Sequence, residues 1–234
     1  MKSGDMIEQR WKANTVLDDE KYPYVIVDNW YTEKEENAVW KELDFYSVIN
    51  QKERAENTIV AKKDGVPLSK AYRFYIEDYY KEKYRHISTI LNCGYKARSK
   101  EFHSIVEKCI PYYRSFASTN RDSTLISYYE ENDHYKPHFD SFMWTMLIWM
   151  VKEPRHFDGG DFVLNEPGHE IKLKNNRMVL FPSCYLHSVN PIKFHTQPKE
   201  IGYGRYCITH FFYSIPAGNP DPENWNEDGT RKNA

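Results

Sequence analysis

In the stretch Tyr135-Lys-Pro-His-Phe-Asp140 a histidine and an aspartate stand two residues apart, where the pattern suggests a strand. Side chains alternate between the two faces of a strand, so His138 and Asp140 would aim an imidazole and a carboxylate at one point while Phe139 points away. A third ligand is available in His187, which follows the apolar run and turn Arg177-Met-Val-Leu-Phe-Pro-Ser-Cys-Tyr-Leu186. Two histidines and one carboxylate on one face of a metal, with the other positions open, is the facial arrangement of non-haem Fe(II) sites. A His-x-Asp pattern alone arises often by chance, so the weight rests on its surroundings.

Downstream, the alternation of Gly204-Arg-Tyr-Cys-Ile-Thr-His-Phe-Phe212 puts Arg205, Cys207, Thr209 and Phe211 on one face, leaving His210 on the other. A buried arginine needs an anionic partner, and no carboxylate stands beside Arg205 in the sequence. A dicarboxylate such as 2-oxoglutarate would match its bidentate fork.

These residues need elements to carry them. From residue 123 the apolar pattern has the period of short strands, expected at 125–129, 138–142, 145–151, 161–164, 170–173, 177–181, 187–191 and 205–214. Turn signals separate several of these strands, among them Gly159-Gly160 and Asn175-Asn176, and eight short strands suit a jelly roll. Ahead of them, 23–30 reads as a strand, and a helix follows it. Thr32 can cap that helix, and Ala38, Val39, Leu43 and Phe45 sit at roughly helical spacing. Lys62-Lys63-Asp64-Gly65 is a hairpin turn signal and a candidate flap. Helices are expected over 76–91 and 99–116, and the tyrosines at 72, 75, 79, 80 and 84 read as packing residues. The fold expected is mainly β with supporting helices: a double-stranded β-helix (cupin-like jelly roll) preceded by an α-helical N-terminal portion. One domain is expected over 1–215, with helical support in 1–122, the barrel in 123–215 and a polar tail over 216–234.

A chain of 234 residues with net charge −2 has neither the excess of basic residues of a general nucleic-acid binder nor a strongly acidic character. Aromatic residues make up 16%, which suggests large packed or substrate-facing surfaces. Cys93, Cys109, Cys184 and Cys207 show no CxxC spacing, so reduced thiols and a cytoplasmic location are expected. The amino terminus lacks the apolar core of a signal peptide, and no apolar run approaches a membrane span, so no membrane partner is expected.

In combination and in order, five motifs resemble the prolyl-4-hydroxylase-like branch of the Fe(II)/2-oxoglutarate-dependent dioxygenases: Tyr129 nine before His138, Tyr135-Lys-Pro-His-Phe-Asp140, Phe157-Asp-Gly-Gly-Asp-Phe-Val-Leu164, Leu186-His-Ser-Val-Asn-Pro191 and Arg205-Tyr-Cys-Ile-Thr-His-Phe211. The resemblance spans residues 123 to 214 and implies that His138, Asp140 and His187 hold Fe(II). It further implies that Arg205 binds the distal carboxylate of 2-oxoglutarate with help from Tyr129, and that Trp149 offers a more variable second contact. Fe(II), 2-oxoglutarate and O2 are the implied cofactors, with ascorbate a further candidate. The implied reaction is hydroxylation of a C–H bond with release of succinate and CO2, and Asp140, in the position that a halogenating variant leaves open for chloride, favours hydroxylation. The 18 positions from His187 to Arg205 make a longer connection than the branch usually has, holding Lys193, His195, Gln197, Pro198 and Lys199.

A protein or peptide substrate is the first reading. A nucleic-acid oxygenase of the same chemistry and a non-catalytic cupin-like metal-binding module are the alternatives. Residues 51–114 hold 14 Lys and Arg against 8 Asp and Glu, a balance that suits phosphates, an acidic peptide or a plain solvated face. A receptor for a dicarboxylate at Arg205 argues against the non-catalytic module. The absence of a basic character in the whole chain favours an acidic protein segment over DNA, received between the Lys62-Lys63 turn and the 192–204 loop.

Overall fold

The computed structural model describes residues 21–48, 53–58, 60–107, 111–196 and 202–215. The expected tail over 216–234, and Cys109, Gln197, Pro198 and Lys199, lie outside them.

The chain enters as strand β1 (Val25–Asp28) and turns into helix α1 (Glu33–Val48). Thr32 and Glu35 form a reciprocal capping box: Thr32 N–H donates to Glu35 Oε2 at 2.7 Å and Glu35 N–H donates to Thr32 Oγ1 at 3.3 Å. The buried stripe of α1 is Val39, Leu43 and Tyr46; Phe45, expected inside, is 53% exposed because it lies off that i, i+4, i+7 line. Five short strands follow: β2 (Glu53–Arg54), β3 (Lys62–Lys63), β4 (Val66–Pro67), β5 (Ser69–Lys70) and β6 (Tyr72–Tyr75). The hairpin expected at Lys62-Lys63-Asp64-Gly65 is present as β3 and β4, with Asp64 and Gly65 both at positive φ.

The segments expected as two long helices are broken. Residues 76–91 give 3-10 turns over Ile76–Asp78 and Glu82–Ile87, and only Thr89–Gly94 is α-helical. The interruption has a local cause: Ser88 Oγ accepts from Leu91 N–H and starts a new helix, while Glu77 is drawn to Arg85 and to the Thr124 N–H. In 99–116 the described helical pieces are Lys100–Val106, Pro111–Tyr113 and the start of Arg114–Ala117.

The barrel strands are β7 (Arg121–Tyr129), β8 (His134–His138), β9 (Trp144–Met150), β10 (Phe157–Gly159), β11 (Phe162–Leu164), β12 (His169–Ile171), β13 (Arg177–Pro182), β14 (His187–Val189), β15 (Ile192–Phe194) and β16 (Arg205–Tyr213). They form a seven-stranded sheet, β1-β13-β9-β16-β7-β6-β2, and a five-stranded sheet, β12-β11-β14-β8-β5. The pair β10-β15 was not expected; Ile192 and Phe194 turn inward there and leave Lys193 exposed, so Lys193 stands on a strand rather than in a loop. Residues ahead of 123 thus add strands to both sheets as well as helices. The large sheet is buried on both faces, which is why β9 reads as an unbroken apolar run. Trp144, Met146, Ile148 and Met150 pack toward the helices with Val39, Ile90 and Phe102. Leu147, Trp149 and Val151 pack into the barrel with Phe162, Leu164 and Ile192.

Candidate metal and cosubstrate site

His138 and His187 are direct cross-strand partners on β8 and β14, which sets their rings side by side with centroids 4.2 Å apart. Asp140 reaches them differently. The strand expected over 138–142 ends at His138, so simple alternation does not place the carboxylate. Asp140 N–H instead donates to Ser183 O at 3.1 Å, tying the segment to the turn before β14. Its carboxylate stands with Oδ1 3.6 Å from His138 Nε2 and Oδ2 3.5 Å from His187 Nε2. One ligand atom from each of the three residues lies within 4.8 Å of the others.

Each ring is oriented by its own backbone. His138 Nδ1 lies 2.9 Å from Lys136 O, and His187 Nδ1 2.8 Å from Tyr185 O. A carbonyl can only accept, so Nδ1 carries the proton and Nε2 presents a lone pair toward Asp140, the tautomer that a metal ligand needs. Burial, reinforced by the neighbouring His187, pushes His138 down to about 2. The Tyr135 ring stacks on His138 with centroids 3.4 Å apart, and Phe162 and Phe181 pack against His187. Thr145 Oγ1 donates to Asp140 Oδ2 at 2.7 Å and lies 2.8 Å from Ser183 Oγ. Sequence reading missed Thr145; its position five residues after Asp140, at the head of β9, was the available signal. His134, expected in the turn before the strand, begins β8 and hydrogen-bonds through Nδ1 to Asn132 O.

The three residues line an open cavity of about 430 Å³ whose walls include Tyr129, Cys207 and Thr209. Arg205 is fully buried and faces the barrel interior on the same side as Cys207. It is absent from the cavity wall but lies 4.9 Å from the ring of Tyr129, which is on it, and 5.5 Å from that of Trp149. Burial raises the Tyr129 phenol, against the pull of Arg205. None of the three Arg205 guanidinium nitrogens has a hydrogen-bond partner among the described residues, and Trp149 Nε1 has none either. Gly160 makes room for this side chain: its φ is +76°, and a Cβ there would meet Arg205 Cδ at 3.0 Å. His210 faces the other side of the sheet, buried and hydrogen-bonded to Thr124.

Residues 124–213 match the model of the 2OG-Fe(II) oxygenase superfamily. The matched segment belongs to that superfamily. The PKHD-type hydroxylase YbiX of Escherichia coli is 26% identical over 111 residues, 42% of this chain and 49% of its own. The chain thus spans about half of that relative's length, and smaller shares of other PKHD-type hydroxylases. Among solved structures, a Pseudomonas putida prolyl-4-hydroxylase superposes with TM-score 0.56 at 15% identity, covering 86% of this chain and 98% of its own. A Trichoplax adhaerens prolyl hydroxylase, solved with a hypoxia inducible factor oxygen degradation domain peptide fragment, gives 0.53 at 14% identity, covering 92% and 94%. These two likenesses bear on the fold, the double-stranded β-helix.

The superfamily's cofactors, Fe(II), 2-oxoglutarate and O2, fit what the chain presents. Two imidazole lone pairs and a carboxylate converge on one point, and a buried guanidinium without a hydrogen-bond partner among the described residues has the chemistry to take a carboxylate. Among the described residues, no helix is long and apolar enough to cross a membrane.

Proposed function

We propose that this chain is an Fe(II)- and 2-oxoglutarate-dependent hydroxylase of a protein or peptide side chain. The observation that carries the reading is Arg205, a fully buried guanidinium without a hydrogen-bond partner among the described residues, in the same barrel as the His138, Asp140 and His187 cluster. A metal-binding module has no use for such a receptor, whereas a dicarboxylate cosubstrate satisfies it.

In this reading His138 and His187 would offer Nε2 and Asp140 one carboxylate oxygen to the metal, beside the cavity that the three residues line. When bound, Fe(II) and 2-oxoglutarate supply the oxidation, in which decarboxylation of the cosubstrate to succinate and CO2 is coupled to hydroxylation of a C–H bond. The protein's part is placement. Arg205, backed by Tyr129 and Trp149, would hold the far carboxylate of the cosubstrate. Thr145 and the Asp140 N–H bond to Ser183 O hold the carboxylate in register. Tyr135, Phe162 and Phe181 wall the histidines from water.

A peptide substrate is supported by the peptide fragment in complex with the Trichoplax adhaerens neighbour, and hydroxylation by the PKHD-type relatives. Ala61, at the base of the β3-β4 hairpin, donates its backbone N–H to the hydroxyl of Tyr135, which lines the cavity, and Lys62 and Lys63 are exposed on the hairpin. A cytoplasmic location accords with the free thiols of Cys93, Cys184 and Cys207. The test is anaerobic loading with Fe(II) and 2-oxoglutarate, followed by admission of O2 with panels of peptides, free amino acids and oligonucleotides. Succinate release stimulated by peptides is the expected result; stimulation by oligonucleotides alone would overturn the substrate class, and failure to bind 2-oxoglutarate would overturn the reaction.

A further inference from the structure

Besides Arg205, which lies behind the cavity wall, the barrel holds a second buried cation that the reaction as described does not use, and this one lines the cavity. Arg73, on β6, is 6% exposed and lines the cavity together with Tyr135, His138, Asp140 and His187. Its Nε and one terminal nitrogen have no hydrogen-bond partner, and it makes no ion pair among the described residues. The Tyr75 and Tyr135 hydroxyls lie beside the guanidinium, and the Tyr135 ring centroid is 6.0 Å from its Cζ. These are neutral neighbours, and they leave the charge itself uncompensated.

Its placement follows from the register of the large sheet. Arg205 on β16 opposes Tyr129 on β7, and Arg73 on β6 opposes Ser127 on β7. Residues 127 and 129 share a face, so both arginines point into the barrel, two strands apart and one two-residue repeat apart along the strand. Standard strand spacings put their Cα atoms on the order of 12 Å from each other. Arg205 ends behind Tyr129, whereas Arg73 opens on the cavity beside the metal ligands.

Charge balance then distinguishes their partners. A divalent metal, the Asp140 carboxylate, a dianionic cosubstrate and the Arg205 guanidinium sum to zero. Arg73 is left over as one positive charge, nearly all of it removed from solvent, and a buried charge without a partner is costly. Asp140 does not serve it: the carboxylate is engaged by Thr145 and turned toward the two histidines. An incoming monoanion, arriving with the group to be oxidised, would close the balance.

We propose that Arg73 is a receptor for a carboxylate on the primary substrate, close to the carbon that is oxidised, so that the site selects an acidic peptide segment. The inference rests on the hydroxylase reading and deepens it: Arg205 takes the cosubstrate, and Arg73 reads the substrate. The exposed Lys62 and Lys63, on the hairpin that Ala61 ties to Tyr135 of the cavity wall, carry the sign that draws such a segment in.

The test uses the full chain loaded with Mn(II) as a metal that does not turn over. Calorimetry first measures 2-oxoglutarate binding in wild type, Arg73→Gln, Arg73→Lys and Arg205→Gln. The 2-oxoglutarate complexes are then titrated with a pair of peptides, acetyl-Asp-Pro-Asp-amide and acetyl-Asn-Pro-Asn-amide. Wild type is expected to prefer the acidic peptide by about tenfold or more, Arg73→Gln to lose that preference and Arg73→Lys to retain part of it. Arg73→Gln should still bind 2-oxoglutarate as wild type does, which also reports that it is folded. Three results overturn the proposal: no acidic preference in wild type, the same preference in Arg73→Gln, or a loss of 2-oxoglutarate affinity in Arg73→Gln matching that of Arg205→Gln, which would assign Arg73 to the cosubstrate. Wild type that binds no 2-oxoglutarate fails at the first step, before any peptide is added; that result refutes the hydroxylase reading itself and takes this proposal with it.

Discussion

Replacing Arg205 by methionine keeps most of its volume and removes its charge, and two effects of opposite sign follow from its burial. In the cosubstrate-free protein the guanidinium is fully buried and has no hydrogen-bond partner among the described residues, so its removal relieves an uncompensated buried charge. Replacing buried ionic groups by apolar ones of similar size is commonly neutral or stabilising by about 1–4 kcal/mol. For a chain of this length each kcal/mol moves Tm by roughly 2–4 °C. Arg205→Met should therefore melt at the wild-type temperature or a few degrees above it. Binding moves the other way. Losing one side of a buried charge-assisted pair costs about 2–5 kcal/mol, which corresponds to a 2-oxoglutarate Kd higher by about 30-fold to about 5,000-fold.

Melting curves of the Mn(II)-loaded protein across a 2-oxoglutarate titration read both effects at once, because a ligand raises Tm according to its concentration relative to Kd. Wild type should gain stability steeply with 2-oxoglutarate, while Arg205→Met starts at least as high and gains little. A variant that melts well below wild type without ligand would show Arg205 to be a structural residue. Equal Kd values in the two proteins would show that the dicarboxylate is held elsewhere, and either result refutes the reasoning.

His138→Ala and His187→Ala should each remain folded and bind Fe(II) far more weakly, since two ligands do not keep the facial geometry; unchanged metal titrations in both variants would remove them from the site. Thr145→Val deletes the hydroxyl that holds Asp140 and should weaken metal binding by about 10–100-fold while 2-oxoglutarate contacts at Arg205 stay intact, measured by metal competition with a chelating dye. Reversing charge at Lys62 and Lys63 should raise the KM for an acidic peptide and leave uncoupled 2-oxoglutarate decarboxylation nearly unchanged, so a parallel fall of both activities would make the hairpin a structural part of the barrel. His210 is pushed down to about 4, chiefly by burial, so the unfolded chain binds its proton more readily and stability falls as pH drops from about 6.5 toward 4, by a sum on the order of 3 kcal/mol. His210→Asn should flatten that part of the Tm against pH curve, and a curve identical to wild type would show that His210 does not carry the dependence.

What the sequence made legible follows from the two periods of secondary structure. Strand alternation is rigid, so Arg205 and Cys207 could be assigned to the interior and His210 to the opposite face before any fold was known, and the structure has them so. Helical spacing in a tyrosine-rich stretch is a weaker guide. Tyr72, Tyr79 and Tyr80 do pack against the core, yet the chain beneath them runs as a strand and 3-10 turns because Ser88 and Glu77 form bonds that a continuous helix would forbid. Arg73 was invisible for a related reason. Its strand has only four residues, Tyr72–Tyr75, and earns its place by pairing with β7, a contact about fifty positions away along the chain that no local pattern encodes.

Asp140 stands beside His138 and His187, but not by the strand alternation that led to it, and the difference bears on the chemistry. Alternation along one strand would have given His138 and Asp140 a shared, rigid support. The structure ends β8 at His138 and holds Asp140 from two other elements, the turn at Ser183 and the head of β9 at Thr145. The histidines are fixed by ladder pairing between β8 and β14, whereas the carboxylate depends on one backbone bond and one hydroxyl. Ser183 joins both supports, since its carbonyl accepts from Asp140 N–H and its hydroxyl meets Thr145 Oγ1. A ligand set built this way has two stiff members and one adjustable one, so changes at Thr145 should alter how the carboxylate meets the metal before they disturb either histidine.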